Sequence, residues 1–264
     1  MLANPFAKAL WDARRGWAGW GLTIGGIAMM YTAFYPSISK PGFAEALKNY
    51  PEALRKAFNI EDMVSPAGYL GSYVFGLLVP ILLAVFVITS GSRTIAGDEE
   101  SGTLDLVLAH PVSRPRLLLS RFAALVTQVL VICAVVLALL LAIAGPTRVA
   151  SVGAGHIAAA TAQLAMFGIL FAAVALAVGA ATGRRSAAIG AGVVVIVLGY
   201  FGNNLAPQVP GLTWAQRLSP FYYYLHGKPL VNGLDVASSA ILLGVAVLLA
   251  AAGLVRFRRR DLAV

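Results

Sequence analysis

At 264 residues, the chain is 59% hydrophobic and only 12% charged, with a mean hydropathy of +0.81. A soluble domain of this size carries about twice that charged fraction, so a single water-soluble core is excluded and lipid is the natural solvent for the long uncharged runs. The net charge of +9 comes from bases at the ends of apolar segments, not along one face, which reads as membrane orientation and leaves no nucleic-acid partner.

The first fifteen residues place Leu2, Phe6, Ala9, Leu10 and Ala13 on one helical face, with Asn4, Lys8, Asp12 and Arg15 elsewhere and Trp11 at the flank. This pattern predicts a helix over 1–15 lying in the membrane interface. The apolar stretch 17–35 follows Lys8, Arg14 and Arg15, is long enough to span, and has no small-residue cleavage pattern after it. It is therefore read as a retained first helix and not as a cleaved signal. Leu47, Tyr50, Leu54 and Phe58 recur at helical spacing among Lys48, Glu52, Arg55 and Lys56, so 41–63 is expected to form a short outer amphipathic helix, with Pro51 starting a turn.

A bilayer core needs roughly 20 apolar residues in helix. Further spans that meet or approach this length are expected at 69–90, 122–144, 157–180, 187–201 and 236–255, giving six in all. Backbone groups in lipid must bond internally, and the alternating pattern of an outer-membrane barrel is absent, so these are helices. Pro80, in the second span, fits either a hinge or a tolerated membrane proline. Cys133 stands alone in the third, which rules out an intrachain disulfide and a thiolate metal site and leaves a small packed residue. Gly21 and Gly25 form a G-x-x-x-G, and Gly179, Gly183, Gly190 and Gly192 line the fourth and fifth spans. Both sets are compatible with a dimer seam or with close packing inside one chain. Between the fifth and sixth spans, Pro207, Pro210, Trp214, Pro220 and the run Phe221–Tyr224 predict an irregular outer segment at headgroup level that does not cross, whether it dips back into the bilayer or stays at its surface.

Orientation follows from the bases. Lys8, Arg14, Arg15, Arg93, Arg114, Arg116, Arg121, Arg184, Arg185, Arg256, Arg258, Arg259 and Arg260 fall on one side. Lys40, Lys48, Arg55, Lys56, Arg148, Arg217 and Lys228 fall on the other. The richer side is expected to be cytoplasmic, which puts both termini on the cytoplasmic side of the inner membrane. The expected fold is an all-α membrane protein, one transmembrane domain over residues 1–264.

Chemistry-bearing residues are sparse. No acid, Lys or Arg lies deep in any span, which speaks against an ion-gradient-driven secondary transporter or channel, the main alternative. His110, His156 and His226 fall in three separate loops with no H-E-x-x-H arrangement, so an intramembrane enzyme has no visible support. At membrane depth, Gln128 and Gln163 fit either a substrate path or hydrogen bonding between helices.

The informative stretch joins the second and third spans and reads SGSRTIAGDEESGTLDLVLAHPVSRPRLLLSR from Ser90 to Arg121. Three acids, Asp98, Glu99 and Glu100, precede Ser101-Gly102-Thr103-Leu104. Leu104, Leu106, Val107 and Leu108 then give a short apolar face, ended by His110-Pro111, with Arg114, Arg116 and Arg121 following. Acids in a first turn and bases near the end complement a helix dipole, so a short surface helix suited to docking in a groove is expected, beside the plainer reading of a solvated loop.

The string Ala96–Arg114 closely resembles the signature loop of ABC-2-type permeases, the membrane subunits of ATP-binding-cassette exporters. It is most similar to a bacterial branch of short six-helix permeases that includes nitrous-oxide-reductase maturation and gliding-associated subunits. The wider family reads roughly E-R-E-x-G-T-L and then P-x-S/T. Here Asp98 and Glu99 stand at the first two positions, Glu100 matches the third, Gly102, Thr103 and Leu104 follow, and Pro111 to Arg114 supplies the later element. Glu99, where many members carry Arg, separates the chain from sugar-polymer exporters. The resemblance implies that Asp98, Glu99, Glu100, Gly102, Thr103, Leu104, Pro111 and Arg114 form a cytoplasmic coupling helix. It also implies that ATP and Mg are bound by a separate ATPase subunit, and that a second permease copy or paralogue completes a lipid-embedded complex. No G-x-x-x-x-G-K-[S/T] loop occurs in the chain, in keeping with that division of labour.

Overall fold

Long apolar runs without internal charge can satisfy their backbone only within themselves, and the computed structural model, which describes residues 4–39, 51, 65–104 and 112–260, is helical accordingly, with no strand among the described residues. We label the helices α1 (Pro5–Asp12), α2 (Arg14–Ile38), α3 (Pro66–Glu100), α4 (Arg114–Ala144), α5 (Ala154–Thr182), α6 (Arg185–Leu205), α7 (Pro220–Leu225), α8 (Pro229–Asn232) and α9 (Val236–Arg259). The expected outer amphipathic helix at 41–63 lies, apart from Pro51, outside the described residues.

Among the described residues, five helices are long and apolar enough to cross a membrane: α3, α4, α5, α6 with its extension to Gln208, and α9. At 25 residues α2, the expected first span, is long enough as well, but its glycines, tryptophans and tyrosines dilute its hydropathy and it does not stand with the five. Helices also run past the expected ends, because bases and small polar residues stay helical after leaving the apolar layer. The third span starts at Arg114 and not at 122, and the second continues to Glu100 and not to 90.

The central helix is α5, packed against α3, α4, α6 and α9, while α1 and α2 lean on α4. Small residues permit these approaches. A Cβ at Gly168 would come within 2.9 Å of Leu83 Cδ2, and one at Gly192 within 2.6 Å of Ile88 Cδ1. The G-x-x-x-G pair faces inward, with Gly21 against Ile132 and Gly25 against Leu139 of α4, so its work is packing inside one chain. Gly179 likewise meets Ala96 and Ala188, whereas Gly190 has open space beside it. Cys133 is buried on α4. In α1, Phe6, Ala9, Leu10 and Ala13 are half-buried while Lys8, Trp11, Asp12 and Arg15 are exposed, which is the amphipathic split read from the sequence.

Pro80 is accommodated by a change of helical register. The stretch Leu70–Leu78 is π-helical, and the Val79 N–H donates to the Val74 carbonyl, five residues back. A proline in an ordinary α-helix would strand the carbonyl four residues earlier and clash with it, whereas the wider turn ahead of Pro80 takes up that misfit.

The end of the bundle away from most of the arginines is closed by the irregular segment predicted between the last two spans. Pro207 and Pro220 open short helical pieces, and α7 turns inward. Phe221 and Tyr224 are buried, with ring centroids 4.8 and 5.0 Å from that of Phe167. Phe167 is thirteen residues into α5, or about 20 Å along its axis, so the segment reaches mid-height of the central helix. The Ser219 hydroxyl donates to the Gly199 carbonyl at 2.6 Å, and the Gln163 amide donates to the Tyr223 carbonyl at 2.9 Å.

Asp235 then starts α9, accepting from the Ser238 N–H at 3.1 Å and the Ser238 hydroxyl at 2.6 Å. The hydroxyl first, and the backbone N–H after it, hold this carboxyl below the usual carboxylate range. A depressed folded-state value means the contribution is present at neutral pH and lost as pH falls through the carboxylate range. Asp235→Ala should therefore cost about 1 kcal/mol at pH 7, the usual size for a lost N-cap. The gap between variant and parent should narrow below about pH 4, where an ordinary aspartate is protonated, as read by thermal unfolding across pH.

Candidate functional site: an acid–arginine clasp at the basic end

At roughly 50 Å, α3 outreaches a 30 Å hydrocarbon layer, and its last turns stand clear of the apolar stretch. It ends in a Schellman turn. The Gly102 N–H donates to the Glu99 carbonyl at 3.1 Å and the Thr103 N–H to the Asp98 carbonyl at 2.9 Å, with Gly102 at φ +67°. This corrects one expectation: Asp98, Glu99 and Glu100 close the preceding helix and do not open the next. The glycine after them forces that outcome, since it supplies the left-handed residue that stops a helix.

Three carboxylates at a helix C-terminus face the negative end of its dipole and need external cations or donors. Each has one. Asp98 pairs with Arg121 near the start of α4, and Glu99 pairs with Arg260, just past α9. Glu100 Oε1 accepts from the Arg185 backbone N–H at 2.8 Å, capping the first turn of α6. Arg114, the first residue of α4, donates to the Arg260 carbonyl at 3.0 Å and so serves the orphan carbonyls at the end of α9. Gly183 completes the fit at φ +69°, where a Cβ would lie 2.6 Å from Glu99 Oε1. Glu99 is the least accessible of the paired acids, with its side chain 9% exposed against 31% for Asp98. Removing one partner of such a partly buried pair strands the other charge, which costs more than losing a surface pair.

The turn itself faces outward. Ser101, Gly102 and Thr103 are exposed, and Leu104 is buried directly after them. Of the residues expected to act together, Asp98, Glu99, Glu100, Gly102, Thr103, Leu104 and Arg114 are assembled at this one end. Pro111 lies outside the described residues. Gln128 and Gln163 are elsewhere, buried on α4 and α5. Gln163 is 1% exposed, and besides its bond to Tyr223 its oxygen accepts from the Ser239 hydroxyl at 3.2 Å, so its polar groups serve helix contacts. In the sequence Arg185, Arg260 and Gly183 stand only as orientation signals or a small residue, and Arg121 as one of the bases that follow the acidic stretch. The turn Gly183-Arg184-Arg185 after an apolar run was the one local hint of a basic corner.

The arrangement offers no nucleophile–base pair, and no cluster of three or more metal-ligating side chains occurs among the described residues. Four helix ends are bound to the base of one exposed turn. A family model described as ABC-2 family transporter protein matches residues 4–262 of the chain. The chain belongs to that family. No curated protein matched it. As an ABC-2 member it is a multi-pass membrane transport permease of the ABC type, a class of transmembrane component that works with an ATPase.

Proposed function

We propose that the chain is the permease subunit of an ABC exporter, forming the translocation path and receiving force from a separate subunit that binds ATP and Mg and hydrolyses the nucleotide. The observation that carries this reading is the exposed Ser101–Thr103 turn, standing at the arginine-rich end and rooted in the ends of α3, α4, α6 and α9. Asp98, Glu99, Glu100, Gly102, Thr103, Leu104, Pro111 and Arg114 form the coupling element. The arginine-rich end faces the cytoplasm of a cell whose inner membrane holds the protein, with both termini inside. Counting α2, whose 25 residues extend about 37 Å, six helices cross. Two such permeases, identical or paralogous, pair with two ATPases so that rigid helices can move against each other.

The test is a reconstituted complex of the full chain with a co-purifying ATPase. Glu100→Ala, Gly102→Pro and Leu104→Asp should each insert normally yet lower the ATP-driven conformational response about tenfold, within the range of coupling changes carried by packed networks. The reasons differ. Glu100→Ala uncaps α6, proline cannot take the positive φ of position 102, and aspartate at 104 buries a charge. Unchanged coupling in all three variants sinks the assignment. Transport indifferent to ATP but abolished by an uncoupler supports a gradient-driven carrier instead.

A further inference from the structure

The three acids tie the end of α3 to α4, α6 and the end of α9, whereas the exposed turn follows α3 and precedes α4 in the chain. Force applied to a turn between α3 and α4 would ordinarily stay with that pair. Here Glu100 passes it to the start of α6 and Glu99 passes it to the end of α9, while Arg114 binds the same end of α9 from the other side. Local stability alone is a poor account of this cluster. Carboxylates oppose the dipole of their own helix, and partly buried ion pairs often add little over apolar packing. What the pairs do supply is a fixed relation between elements 85 to 161 residues apart in the chain.

We infer that Arg260 is a positioning residue for coupling: through Glu99 it joins the end of α9 to the coupling turn, so that the ends of α3, α4, α6 and α9 travel as one rigid block. Gly183 fits the same picture, because the block closes over a position where a side chain would collide with Glu99. The inference rests on the permease reading and adds what moves with the turn. A rigid block does not open during the cycle, so a covalent link can replace the Glu99–Arg260 pair without loss.

The experiment uses the full chain with its ATPase in phosphatidylethanolamine–phosphatidylglycerol nanodiscs, in a Cys133→Ala background. A reporter Val231→Cys sits at an exposed position of α8 at the far end. The readouts are the ATP-dependent change in labelling of the reporter and, without the ATPase, the melting temperature of the permease. Glu99→Arg and Arg260→Glu should each cut the ATP response about tenfold. The double reversal should restore it to within about twofold, as coupled residues do in a double-mutant cycle, and Arg260→Lys should retain most of it. In a chain without the reporter, Glu99→Cys with Arg260→Cys should lose the ATP-driven shift in protease sensitivity when unlinked and regain it when joined by a short bifunctional thiol reagent.

Single reversals that leave the response intact overturn the positioning role, as does a double reversal no better than the singles. Loss of the response in the thiol-linked protein overturns the rigid block. A parent protein indifferent to ATP overturns the permease reading and the role together. Recovery of melting temperature in the double reversal, measured on the permease alone, then still decides whether the charges are paired.

Discussion

Gly253→Leu should lower the melting temperature of the purified protein by roughly 5–10 °C, or prevent recovery of a monodisperse species, whereas Gly244→Leu on the same helix should leave both unchanged. Most core overpacking costs about 1–3 kcal/mol, and each kcal/mol shifts a protein of this size by about 2–4 °C. Gly253 belongs to the upper part of that range because its neighbour is backbone. A Cβ there would stand 2.7 Å from Ala177 Cα and 3.1 Å from Ala177 Cβ. A flexible side chain could rotate away from an intruder, but the axis of α5 cannot, and α5 carries the whole bundle. Between apolar helices in lipid, close approach and packing supply the attraction that water supplies elsewhere, so separating α5 from α9 removes what joins them. Gly244 has nothing within 4 Å, so leucine there faces outward and replaces a poor helix former with a good one. Equal melting temperatures for the two variants would show that the α5–α9 contact is not tight.

Hydropathy made the spans legible because the signal is physical and local: a run either reaches the length of the hydrocarbon layer or it does not. What it missed follows from the same locality. The start of α4 lies eight residues ahead of its apolar run because Pro115 suits a first helical turn and long basic side chains reach water from there. The acids at 98–100 were read forward into the next helix, although the glycine at 102 is the stop signal of the one before. Their partners could not be read at all. Arg121, Arg185 and Arg260 are 23, 85 and 161 residues away, and no periodicity connects them. The irregular structure of the segment after α6 was legible in its prolines and aromatics. Its depth was not, because depth is set by which side chains find room against Phe167 and Gly199, and that depends on the packing of α5 and α6.

That depth makes α7 the second place where one substitution should have a large effect. Phe221→Ala should cost about 3–5 kcal/mol, the range for an aromatic truncated in a packed interior, while Leu218→Ala three residues earlier should be neutral. Phe221 is fully buried and holds both flanking helices at once. Its ring centroid is 4.8 Å from that of Phe167 on α5 and 5.5 Å from that of Tyr200 on α6. Its backbone N–H is committed as well, donating to the Ser219 hydroxyl at 3.0 Å, and that hydroxyl binds Gly199. Losing the ring leaves a cavity that the rigid α5–α6 pair cannot collapse into, so the lost contacts are not recovered. Leu218, 75% exposed, makes no comparable contact. Local opening of α7 should accompany the loss, seen as faster hydrogen exchange and protease cleavage within 206–235 in the Phe221→Ala protein but not in the Leu218→Ala protein. Similar exchange in both variants would place α7 on the surface of the bundle and not inside it.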